Sequence, residues 1–337
     1  MNDIRYPVFQ NIVYDTASEA ISCPYGQIEL KRNAHTGVVE NRLFDSGLMR
    51  YDTRYQNEQA FSRQFQAHLH SVAKIISERL DTSKLVEVGC GKGFFLELYN
   101  ESYGPLIGFD PAYEGTNRLI EKKVFSSDAV EGCSGVVLRH VLEHIQAPHN
   151  FLKDIAAAAP GAHIYIEVPC YDWICENNAW YDVFYEHVNY FTKQTLNQLF
   201  ESGTEIYSLF GGQYIGLIAD LSKLRTFSET TCEVLDEKVQ SPQPGDFEHV
   251  EVIWGGSSKG VIYSLHRQQA GAPVRVAIDI NPSKQGKYMA GTGVPIRSPE
   301  WLMENIDPGQ KIIVMNPNYL REIEDITGNC YLLEVVK

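Results

Sequence analysis

The chain has 337 residues, 44% of them hydrophobic and 21% charged, with a formal net charge of −14. That length exceeds one ordinary core and predicts two or three domains, while the composition excludes wholesale disorder. The acidity argues against a nucleic-acid or anionic-membrane partner, yet leaves room for an anionic small ligand held by local basic groups.

The N-terminal stretch reads as irregular with one hairpin, residues 27–31 and 38–44, around Asn33-Ala34-His35-Thr36-Gly37. Across residues 59–80, Phe61, Phe65, Leu69, Val72, Ile76 and Leu80 recur at three- and four-residue spacing, which predicts an amphipathic helix. Strands follow at 85–88, 106–110, 135–138 and 163–168, with helices at 94–100 and 151–158 and a helix start at 141–144. A helix at 195–202 and strands at 205–210 and 214–220 close the unit. Strands joined by crossover helices imply an α/β, doubly wound Rossmann-like fold with a mainly parallel sheet. The proline- and glycine-bearing stretch 241–245 suits a linker. Beyond it a shorter alternation, with strands at 250–254, 274–279, 311–315 and 331–336, predicts a second, smaller Rossmann-like unit. The expected division is therefore 1–57, 58–223 and 224–337.

Seven cysteines are scattered without paired spacing, and no H-E-x-x-H pattern occurs. Free thiols in the cytosol are expected, and no metal site. Nothing resembles a signal peptide or a membrane span.

The turn Glu87-Val88-Gly89-Cys90-Gly91-Lys92-Gly93 follows a strand and opens a helix. Its glycines let the backbone turn sharply and approach a ligand closely, the device used for adenosine-containing cofactors. S-adenosylmethionine (SAM) and NAD are the two rivals. Three features favour SAM: the acid inside the motif, the acids Asp110 and Asp128 after successive strands, and Val141-Leu142-Glu143-His144 after the next one. For SAM, Gly89, Cys90, Gly91 and Gly93 form the cradle and Glu87 lies near the amino group. Asp110 suits the ribose and Asp128 the adenine, while Arg139 and His140 lie at the methionine end.

At these residues the chain resembles a class I SAM-dependent methyltransferase. Three further segments, Trp180–Thr192, Asn281–Tyr288 and Asn316–Ile323, resemble the nucleotide-sugar C-methyltransferases, including their C-terminal domain. That resemblance implies that a base removes the proton beside the ketone of a nucleotide-linked keto sugar, and that the enolate carbon then takes the methyl group. It maps the base onto His187, with Glu186 beside it and Tyr185 contiguous. The chain departs from the family in lacking the cysteine pairs of its N-terminal zinc module, since only Cys23 falls there. It also has Phe184 where some members carry a tyrosine.

The aromatic residues Trp173, Trp180, Tyr181, Phe184, Tyr185, Tyr190 and Phe191 either wall a pocket or simply pack. The loop at residues 51–57 either closes over the site, with Tyr55 on the substrate, or only leads into the following helix. In the C-terminal unit, Gly255-Gly256-Ser257-Ser258-Lys259-Gly260 suits anion binding by backbone N–H groups, with Lys259, Lys284 and Lys287 available to neutralise a diphosphate. An NAD site and a plain packing turn are the alternatives there. Asn316 and Tyr319 are expected to face the same cleft. Two other functions stay open: O- or N-methylation of another small metabolite, and a non-catalytic SAM- or sugar-nucleotide-binding regulator.

Overall fold

A computed structural model describes residues 4–50, 54–123, 126–227, 234–236 and 250–336. The side chains of 127, 128 and 234–236, the expected linker at 241–245 and Cys232 lie outside the described residues. The helix Arg63–Arg79 buries Phe65, Leu69, Val72, Ala73 and Ile76 on one side. It starts later than the periodicity predicts: Ser62 caps it by accepting from the Phe65 N–H, and Phe61 stays 49% exposed.

The main sheet has seven strands. From one edge they run Glu205–Leu209, Tyr214–Asp220, His163–Pro169, Gly135–Arg139, Leu85–Val88, Leu106–Phe109 and Ile120–Glu121. The last five are parallel, and Tyr214–Asp220 pairs antiparallel with both of its neighbours. Alternate residues feed opposite cores: Val136 and Leu138 join one cluster, and Val137 joins the cluster beneath the Arg63–Arg79 helix. Strand order reverses at Leu85–Val88, so the crevice at its carboxyl end is where such a sheet takes a ligand.

The C-terminal unit is a five-stranded, wholly parallel sheet in the order Ile296–Arg297, Val276–Ile278, Val252–Trp254, Lys311–Val314 and Leu332–Val335. Its reversal point is Val252–Trp254, which opens toward the same cleft.

The expected hairpin forms, with Leu30–Asn33 against Val39–Asn41. The N-terminal stretch is nevertheless not set apart from the rest. Val13–Tyr14 pairs with Tyr288–Met289 of the C-terminal unit, and Val39–Asn41 pairs with Asn189–Tyr190. Two helix expectations need correction. Residues 195–202 contribute only the end of a short helix, Lys193–Asn197, and residues 142–144 form a 3₁₀ turn ahead of the true helix Pro148–Ala158. Pro148 at a helix start explains the delay, because its ring fixes φ and needs no N–H partner there. No described helix is long and apolar enough to cross a membrane.

Candidate active site

One cleft of about 1130 Å³ joins the carboxyl ends of both sheets. Gly89 and Gly91 line it with φ of +74° and +57°. A Cβ on Gly89 would lie 2.4 Å from Val141 Cγ2, whereas one on Gly91 would meet open space. Asp110 shapes the turn as well as facing the cleft, since its Oδ2 accepts from Gly91 N–H at 2.9 Å and its Oδ1 from Ala112 N–H at 2.8 Å. Cys90 also lines the cleft, and burial pushes its thiol pKa up.

Glu87 is 2% exposed, and its Oε2 accepts no hydrogen bond although the residue borders the cleft. Desolvation pushes its pKa up to about 7, with Arg139 opposing. An orphaned buried carboxylate at this point fits the ammonium group of SAM, which would satisfy it. Gly93 does not line the cleft. It caps the helix Phe94–Ser102 at φ +85°, and a Cβ there would sit 2.3 Å from Ile120 Cδ1, so it is a packing glycine. The Asp128 side chain lies outside the described residues.

Arg139 and His140 end their strand over a carboxylate that sequence reading missed. Glu167 is fully buried and meets His68 Nε2 at 2.9 Å, His140 Nε2 at 3.1 Å and the Tyr165 hydroxyl at 2.8 Å. Arg139 Nη2 lies 3.5 Å from it, with the guanidinium over the Phe95 ring. Burial works against protonation of His140, but hydrogen bonds with Glu143 and Glu167 raise its pKa to about 9. The result is a fixed cationic pair beside the glycine turn, suited to a carboxylate. An acid buried inside a strand carries no sequence signal apart from interrupting an apolar run, as Glu167 does between Ile166 and Val168.

His187 lines the cleft, its ring edge-on to those of His144 and Phe184. Burial, with the neighbouring His144, pushes its pKa down to about 3, so it is neutral. The carboxylate facing it is Glu143, not Glu186. Candidate ligand atoms of Glu143, His144 and His187 all lie within 4.8 Å of one another. Glu186 points elsewhere and accepts a 2.7 Å hydrogen bond from the Tyr55 hydroxyl. Tyr185 is likewise displaced from the role expected of it. Its ring packs on Phe44, and its hydroxyl accepts from Asp45 N–H at 2.8 Å. Tyr185 and Glu186 form a turn ahead of the strand Asn189–Tyr190, and the three successive side chains leave it toward different neighbours.

On the substrate side, Tyr55, Lys259, Lys284, Asn316 and Tyr319 line the cleft and Lys287 does not. Lys287 pairs at the surface with Asp15. Lys259 Nζ meets Asp182 at 2.7 Å above the Trp173 ring, and Lys284 Nζ meets Ser257 Oγ at 2.7 Å and Asp279 at 3.3 Å. Asn316 exchanges two hydrogen bonds with Gln213, and the Tyr319 hydroxyl donates to Gln59. The turn 255–260 is less open to anions than expected. Its N–H groups at Gly255, Gly256, Ser258 and Gly260 already donate to Ile278, Asp279, Gln10 and Ser257. Within the aromatic run packing prevails: Phe184 alone of the seven lines the cleft, and Trp180 stacks on Tyr263. Asn11 and Tyr214, neither singled out from sequence, complete the walls.

Residues 55–203 match a family described as a methyltransferase domain. The chain is 24% identical over 307 residues to "C-methyltransferase NovU" of Streptomyces niveus, covering 77% of this chain and 73% of that one. A SAM-dependent methyltransferase from Archaeoglobus fulgidus superposes with a TM-score of 0.37 at 18% identity, over 48% of this chain and 98% of that one. Another from Mesorhizobium loti does so at 0.34 and 12%, over 47% and 99%. With the match over residues 55–203 and a cleft that suits the cofactor, the protein is a SAM-dependent methyltransferase.

Proposed function

We propose that the enzyme methylates a carbon atom of a nucleotide-linked keto sugar, with His187 as the proton acceptor. The observation that carries this reading is the continuity of the cleft. One cavity runs from the glycine turn past His187 to Lys259 and Lys284 of the C-terminal unit. A substrate anchored by an anionic tail on the lysines would thus present its far end to His187 and the methyl donor together. The likeness to a protein named a C-methyltransferase supports carbon as the acceptor.

SAM supplies a methyl group already activated by its sulfonium. Glu87 and Asp110 would hold its ammonium and ribose, with Arg139 and His140 at its carboxylate and the side chain of Asp128 assigned to the adenine. Neutral His187 has a free lone pair to take the proton beside the ketone. As the imidazole becomes cationic, the adjacent Glu143 carboxylate opposes part of its desolvation. Tyr55, tied to Glu186, forms part of the cleft wall, as do Asn316 and Tyr319, held by Gln213 and Gln59.

Incubation with SAM and a panel of nucleotide-linked keto sugars deuterated beside the ketone tests the reading. Loss of one deuterium and a new carbon-bound methyl signal by NMR are expected. A methyl on oxygen or nitrogen with the label retained would refute it, and binding without turnover across all methyl acceptors would indicate a regulator.

A further inference from the structure

Glu143, His144 and His187 bring one carboxylate and two imidazoles together on the cleft wall. Two features go beyond proximity. Glu143 is 1% exposed and faces His140 Nδ1 at 3.4 Å through its Oε1, while its Oε2 has no partner. An unpaired buried carboxylate oxygen is costly, and a cation entering from the cleft would remove that cost. In addition, His144 Nδ1 lies 2.8 Å from the Glu186 carbonyl. A carbonyl only accepts, so Nδ1 carries the proton and Nε2 keeps the lone pair. This is how proteins fix the tautomer and orientation of a metal-ligating histidine.

We propose that Glu143, His144 and His187 form a binding site for a divalent transition-metal ion, with zinc the favoured occupant. Two nitrogens and one oxygen suit zinc, which in open sites takes three protein ligands and leaves a fourth position to solvent or substrate. Magnesium and calcium call for mostly oxygen donors. The ligands come from two separate stretches of chain, so no local sequence pattern marks the site. Its consequence for activity, unlike the binding itself, rests on His187 being the base. Metal and proton compete for one lone pair, so zinc slows methyl transfer.

The full chain, stripped with chelator and desalted, is titrated with zinc chloride by calorimetry and assayed for bound metal after gel filtration. One ion per chain is expected. Affinity should fall roughly 100-fold or more in Glu143→Gln and in His144→Gln, and should be unchanged in the exposed control His70→Gln. Anomalous scattering from zinc-soaked crystals of the unaltered protein should peak between the three side chains, a readout independent of how the variants fold. No stoichiometric binding, or an anomalous peak elsewhere, overturns the site. Inhibition reversed by chelator supports both the site and the base, whereas activation by zinc bound there keeps the site and removes His187 as base.

Discussion

At the scale of single residues, burial decides which chemistry each group can perform. Glu87 has a pKa near 7 because it is desolvated, so part of its population is protonated at neutral pH. An ammonium ligand binds the ionised form, and affinity therefore rises as pH climbs through 7. Calorimetry with SAM should show affinity increasing between about pH 6 and 7, before an α-amino group with a pKa of about 7.7–8.0 deprotonates appreciably. Glu87→Gln should bind about tenfold more weakly, with most of this pH slope gone. At the other end of the reaction, His187→Ala should lower kcat by about 10²–10⁴-fold while SAM affinity by the same method stays unchanged. A matching loss of SAM affinity would instead make His187 part of the cofactor cradle.

At the scale of elements, the cofactor turn and the loop after Gly135–Arg139 are packed as one body. Gly89 donates to the Phe109 carbonyl while a Cβ on it would strike Val141, so both its φ and its missing side chain are required. Gly89→Ala should cost about 1–3 kcal/mol in strain, displace Val141 and abolish SAM binding. Thermal unfolding with and without SAM reads both effects, and a variant that still shows the full ligand-induced shift would contradict them. The same packing holds the loop that carries Glu143 and His144 against the glycine turn through Val141.

At the scale of the whole molecule, the carboxyl ends of the two sheets face one cleft and are tied across it by polar contacts. Gln213 and Asn316 pair at 2.9 and 3.0 Å, and Glu322 accepts from Ser62 Oγ and from Arg63 N–H at the start of the long helix. The N-terminal stretch adds a third tie through Ser258 to Gln10 and Asn11. Asn316→Leu leaves the Gln213 amide unpaired and should cost about 1–3 kcal/mol. Hydrogen exchange should then rise in residues 311–327 and around Gln213 while the Leu85–Val88 strand stays protected. Uniform loosening of both sheets would refute the idea that this pair acts locally at the junction of the two units.

Alternation of apolar strands with helical spacing was enough to read the central strands of each sheet, because burial on two faces leaves an apolar run, whereas the two-residue edge strands Ile120–Glu121 and Ile296–Arg297 leave none. The glycine turn was equally legible, since positive φ at Gly89, Gly91 and Gly93 leaves few other residues acceptable. Element ends were read less well: Ser62 overrode the apolar period at one helix start, and the helix read at 151–158 begins three residues earlier, at Pro148. The chemistry of the cleft was decided in three dimensions. Glu143 replaced Glu186 beside His187, Tyr185 turned into the core, and Lys287 and Gly93 fell outside the cavity. A side chain's direction depends on which face of its segment is covered, and that covering comes from residues far away in the chain. Glu167, with its partners His68, Arg139 and His140 drawn from separate elements, shows the same rule: charges can be buried only where folding brings their counterparts.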